Sequence, residues 1–208
     1  CVFGLVISVG VIAFWLWLSG IPPLGVFAFL FFAFVVFVGL TRVVVEGGVA
    51  MLYTPLVPPD AALSAMGSAV YGDGGIIGLT FTRVWANDIF NFAMPHCANG
   101  LKLSEQIQGS RRPLFWAMLL AILLGLIGAI SMLLYLSYTY GAVNMSDRHF
   151  VWLAQYVFEY AAARIAAPLG PDWSGWLHTG IGGLVMGFLM VAQRQWVWWP
   201  LHPLGYPV

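Results

Sequence analysis

The chain has 208 residues, of which 61% are hydrophobic and 8% charged, and its mean hydropathy is +0.90. Soluble domains carry about a quarter charged residues, so this chain cannot coat a water-exposed surface, which excludes a soluble enzyme and a disordered tail. Eight Lys/Arg balance eight Asp/Glu and leave no basic surplus to hold phosphates, which excludes a nucleic-acid binder. The expected fold class is therefore all-α: a polytopic transmembrane helix bundle with amphipathic or re-entrant segments, one membrane domain over residues 1–208.

A spanning helix needs roughly 20 mostly apolar residues. The first such run is 1–19, with Trp15 and Trp17 as interfacial anchors. Gly20-Ile21-Pro22-Pro23 interrupts it, because proline lacks an amide hydrogen and disfavours helix in the residue before it. A second run, 24–45, follows so closely that the two are expected to be antiparallel neighbours. The stretch from Glu46 to Arg112 is less regular and holds most of the charges. Asp60, behind Pro58 and Pro59, starts a short capped helix over 60–70, and Gly72-Asp73-Gly74-Gly75 reads as a flexible turn. Residues 76–94 follow as an amphipathic helix closed by Pro95. Phe81, Trp85, Asp88 and Phe92 line one side of it, and Arg83, Asn87 and Asn91 the other. It lies in the interface, re-enters partway, or crosses while lining a polar cavity; periodicity does not choose. The third span is 114–138. Residues 149–166 form another amphipathic helix, whose stripe of Arg148, Trp152, Gln155, Tyr156, Glu159 and Tyr160 suits the headgroup level. The fourth span is 174–193.

The distribution of Lys and Arg places Arg111, Arg112 and Arg194 in the cytoplasm and 141–172 outside, in a multi-pass protein of the inner (cytoplasmic) membrane. Small residues recur every fourth position at Ala121, Gly125 and Ala129 and at Gly183 and Gly187, the pattern by which membrane helices approach closely. The expected partners are the lipid bilayer and the remaining helices of a longer chain, since the sequence opens without Met; a homo-oligomer is left open. Cys1 and Cys97 form no redox or metal spacing and read as ordinary apolar residues.

Candidate functional residues are the few ionisable groups. Arg42 and Glu46 stand four apart, stack on one helical face and can pair. Gly47 and Gly48 follow directly and form a helix break, which could open carbonyls to a cavity as in discontinuous transporter helices. The plainer alternative is a snorkelling arginine beside a glutamate at a helix stop. Asp88, in an aromatic line, and Glu159, on a Tyr/Trp stripe, are further pathway candidates, with Arg83, Asn87 and Asn91 on the opposite face of the first helix. The alternative for both acids is solvation at the interface. His96, His149, His178 and His202 form no ligand spacing, and no nucleophile elbow or phosphate loop is present, so neither a catalytic residue, a metal nor a cofactor is expected.

The end of the chain, Trp196-Val197-Trp198-Trp199-Pro200-Leu201-His202-Pro203-Leu204-Gly205-Tyr206-Pro207-Val208, is distinctive. Together with Thr41–Gly48 and Met94-Pro95-His96, it resembles a bacterial and archaeal family of large multispan membrane proteins of unassigned function. That family places an R-x-x-x-E-(A/G)-G element after one span and W-W-P-x-H-P-x-G-(Y/F) after a later one, and it is distantly similar to oligopeptide transporters. The resemblance covers nearly all of the chain as the C-terminal portion of a longer one, and implies a transporter-like integral membrane protein. The expected function is accordingly part of a secondary transporter for a small solute or peptide, the alternative being a non-transporting scaffold or assembly subunit.

Overall fold

The computed structural model describes residues 2–48, 56–86, 93–104, 112–145 and 148–196. Among them there is helix and no β-strand: α1 (Val2–Leu18), α2 (Pro23–Gly47), α3 (Pro58–Met66), α4 (Ser68–Phe81), α5 (Arg83–Ala86), α6 (Ala93–Leu103), α7 (Arg112–Leu136), α8 (Leu153–Ala166) and α9 (Trp173–Gln195). Three helical stretches are long and apolar enough to cross a membrane: α2, α9, and α7 with its π-helical extension to Gly141. The apolar α1 is shorter, at 17 residues. Asn87, Asp88, Asn91 and Arg111, and the terminal element after Trp196, lie outside the described residues.

The architecture is organised along α2. Pro23 occupies its first turn, where a missing amide hydrogen costs nothing. Val26, Phe29, Ala33, Val36, Leu40 and Val44 recur at three- and four-residue intervals and form one buried stripe. α3 packs along α2, and the main core gathers Leu16, Val26, Phe29, Ala62, Leu79 and Ala86 from five helices. Contacts at the two ends of α2 give the path of the chain. Gly75 lies against Pro22, and Trp85 meets Phe29 edge-on with centroids 5.6 Å apart, about 9 Å along the axis from Pro23. Lys102 on α6 donates to the Val45 carbonyl at 2.7 Å, about 33 Å along the same axis. Gly75 and Lys102 therefore stand near opposite ends of α2.

Several local expectations are corrected. Residues 76–94 do not form one helix. α4 begins at Ser68, bends at Gly72 (φ 62°) and ends at Phe81, where the Thr82 hydroxyl and amide both donate to the Leu79 carbonyl (2.6 and 3.1 Å) and tighten the last turn. Gly72–Gly75 is thus a kink inside a helix and not a free turn. The helix expected over 60–70 is α3, which stops at Met66 because Gly67 adopts φ 78° against the backbone of Leu169 and Gly170. Pro95 lies in the first turn of α6 and does not end a helix. α8 is not a bare interfacial helix: its apolar side (Val157, Phe158, Ala161 and Ile165) packs with Ile77 and Phe81 of α4 around an apolar cavity of about 320 Å³.

The linker between α8 and α9 is stitched to the α3–α4 corner. Ser68 donates through its amide (2.8 Å) and hydroxyl (3.2 Å) to the Leu169 carbonyl, and the Leu169 amide donates back to the Ser68 hydroxyl at 2.8 Å. The Asp172 amide donates to the Ser64 carbonyl at 2.9 Å, and the Asp172 carboxylate caps α9 by accepting from the Gly175 amide. Close backbone approach is concentrated at α4 and the α1–α2 turn, whereas Gly125, Gly183 and Gly187 face open space and no residue of α7 is buried. The small-residue stripes of α7 and α9 are therefore unused within these contacts.

A Cβ on Gly78 would stand 2.7 Å from the Ser19 carbonyl oxygen, a backbone atom that cannot rotate away. G78A is expected to cost about 1–3 kcal/mol, while G125A leaves the thermal unfolding midpoint in detergent unchanged or raised. Tyr71 is buried, donates to the Ala62 carbonyl at 3.2 Å, and is pushed up to about 12 by burial from an ordinary 10.0. Folded Tyr71 holds its proton more tightly than unfolded, so its contribution to stability is intact below pH 10 and is lost as pH rises through about 12. Phenolate absorbance should show a late-titrating component that Y71F reduces, together with a flatter stability profile in that window.

Candidate functional site

Arg83 is the most deeply placed charge among the described residues, with 6% of its side chain exposed. The break at Thr82 puts it there: α4 stops, and α5 turns the guanidinium inward and not toward solvent. Pro58 and Pro59 start α3 and set Asp60 in its first turn, where the helix dipole favours a carboxylate. α8 supplies Tyr156, Tyr160 and Arg164 at four-residue intervals on one face.

These groups converge. Arg83 Nη2 pairs directly with Asp60 Oδ2, and Arg83 Nη1 donates to the Tyr156 hydroxyl at 2.9 Å. The Tyr160 hydroxyl donates to Asp60 Oδ1 at 2.5 Å. The Arg83 guanidinium also lies 3.9 Å from the Tyr160 ring centroid and 5.4 Å from that of Tyr156, and Arg164 approaches Tyr160 at 4.8 Å. Trp152 stacks on Tyr156 with centroids 5.1 Å apart. Burial, then the hydrogen bond to Asp60, raises the Tyr160 phenol above its ordinary value and keeps it a proton donor. Arg83 Nε is buried and has no partner among the described residues. A cavity of about 400 Å³ opens beside the cluster, lined by Asp60, Ser64, Arg83, Tyr156, Arg164 and Asp172 among others. Its chemistry is that of binding: fixed charges and phenolic donors in a confined, half-polar space.

The sequence-derived candidates distribute unevenly. Arg83 is at the centre, though on a buried face and not the polar one expected. Arg42 and Glu46 do pair, Nε to Oε1 at 2.8 Å, but at the far end of α2 with about half of each side chain exposed. Gly47 is the last helical residue there and Gly48 (φ 63°) the left-handed cap. Glu159 is exposed and does not line the cavity. Asp88, Asn87 and Asn91 lie outside the described residues. Asp60 was read only as a helix start. Its partner lies 23 residues away, and the one available signal was the Tyr156/Tyr160/Arg164 spacing.

An all-helical chain with three membrane-length apolar helices and a buried ion pair ringed by tyrosines is the class of protein that the fold and this cluster define. The chain belongs to a family of unknown function, DUF6785, which matches residues 1–208. No curated protein and no solved structure matches it.

D60A leaves a guanidinium buried without its counter-ion. The expected loss is about 2–3 kcal/mol, below the 3–5 typical of fully buried pairs because the Asp60 side chain is 37% exposed. E46A, which breaks an exposed helical pair, should cost about 0.3–0.5 kcal/mol. Unfolding in mixed micelles compares the two.

Proposed function

We propose that the chain is part of a multi-pass protein of the cytoplasmic membrane that binds a small solute beside Arg83 and passes it across, as a secondary transporter does. The observation carrying this reading is the Asp60–Arg83 pair, held by two tyrosines at the interruptions that begin α3 and α5. Ions inside a membrane protein are costly unless paired, and where retained they mark solute or ion paths. Interrupted helices build such sites.

The chain path supports the same reading. If α2 spans, Gly75 beside Pro22 and Lys102 beside Val45 stand toward opposite faces of the membrane, and α3 packs along α2 between its ends. Charge is sorted along this axis. Arg42 and Lys102 stand toward the α2 C-terminal end, and α7 approaches α6 where Met118 lies near Gly100. A spanning α9, which starts beside Phe32 through Trp176, would carry Arg194 to that same face. That end is then cytoplasmic, and Arg83 lies nearer the other end of α2, where the neighbouring Trp85 meets Phe29.

A non-transporting scaffold or assembly subunit is the second reading. Its support is α7, whose 25 residues include none that are buried and thus offer an unused apolar surface.

Proteoliposomes carrying the intact protein test the choice, assayed for uptake of a panel of amino acids, dicarboxylates and dipeptides. Uptake should fall at least about tenfold in R83Q, as expected for losing one charge-assisted contact, and persist in R42Q. Absence of uptake across the panel, or uptake indifferent to both R83Q and D60N, favours the scaffold.

A further inference from the structure

The carboxylates and carbonyls around the cavity beside Arg83 are largely engaged, while two of its donor groups keep hydrogens to give. Both oxygens of Asp60 are engaged, Oδ1 by Tyr160 and Oδ2 by Arg83. The Leu169 carbonyl accepts twice from Ser68, and Asp172 Oδ1 is turned to the Gly175 amide at the start of α9. The Ser64 hydroxyl gives its proton to the Ala61 carbonyl at 3.0 Å and keeps only its capacity to accept.

The donors are in a different position. Tyr156 accepts from Arg83 and so keeps its own hydroxyl proton to give. Arg164 lines the cavity and faces the Tyr160 ring, and no carboxylate among the described residues lies within ion-pair distance of it. A guanidinium presents a fork of donors matched to carboxylate and phosphate. The lining carries two acids, Asp60 and Asp172, and two bases, Arg83 and Arg164. Asp60 is paired with Arg83, and Asp172 caps α9, where the helix N-terminus offsets its charge, which leaves Arg164 without a carboxylate of its own. At about 400 Å³ the cavity is large enough for a small solute or a lipid headgroup.

We infer that this cavity binds the anionic group, a carboxylate or a phosphate, of its ligand, with Arg164 and the Tyr156 hydroxyl as the groups that hold it. The inference rests on the solute-binding reading above and names the class of ligand. Asp60 and Arg83 act as positioning residues: they fix Tyr156 and Tyr160, and through them the face of α8 from which Arg164 projects.

The test uses the intact protein in nanodiscs of neutral phosphatidylcholine, with the thermal unfolding midpoint as readout. Inorganic phosphate and succinate are added as soluble anions, and phosphatidylglycerol is introduced into the disc as the lipid source. At least one of the three should raise the wild-type midpoint by roughly 2–4 °C. A response to phosphate or succinate assigns a soluble ligand, and a response to phosphatidylglycerol alone assigns a headgroup; either supports the site. R164Q and Y156F should each abolish most of the rise, and R42Q should keep it. The inference is overturned if none of the three anions shifts the wild type, or if the shift survives in both cavity variants. Its failure is distinguishable from failure of the transport reading. Anion stabilisation without uptake keeps the site and removes transport. Uptake of an uncharged solute that R164Q leaves intact keeps transport and removes the anion site.

Discussion

A guanidinium withdrawn from water needs a counter-charge and acceptors close by, and Arg83 sets that demand for the surrounding structure. Its charge is met by Asp60, one of its donors by Tyr156, and its face by the Tyr160 ring. These partners come from two other helices, so a single side chain ties α3, α5 and α8 into one unit. Removing any partner leaves the others buried with unmet valences, which costs far more than the net gain of making the contacts. Such a network is worth little as ordinary stabilisation, since a well-packed apolar cluster would serve as well.

Packing elsewhere follows a different rule. In an apolar solvent, burying an apolar side chain against another helix gains little over burying it in lipid, and contact density decides association. The close contacts are accordingly where backbones meet: Gly75 against Pro22 and Gly78 against Ser19. The glycines of α7 and α9 make no such approach. The bundle is thus dense around α2, α3 and α4 and loose around α7, an apolar rod of which no residue is buried.

The long elements were legible because their apolar runs exceed any soluble need. α2, α7 and α9 fall over 24–45, 114–138 and 174–193 with ends shifted by a few residues, set by Pro23, Arg112 and the Asp172 cap. The region between α2 and α7 was misread where local rules compete. A run of four residues containing three glycines signals a turn, yet Gly75 is held in helix by contact with Pro22, a constraint with no sequence signature. The site was legible by half. Arg42 and Glu46 are found by counting to four, because helical pairing is local. Asp60 with Arg83, and Tyr160 with Asp60 across 100 residues, depend on how helices stack, and nothing in the spacing of one reports the other.

The seam at Ser68 and Leu169 joins places 101 positions apart in the chain. Because Asp172 is tied to Ser64 in the same seam while capping α9, the start of a membrane-length rod is fastened to the wall of the cavity. The stretch that opens α9 and the corner that walls the cavity are therefore one piece of structure, and neither shifts without breaking the Ser68–Leu169 and Ser64–Asp172 bonds.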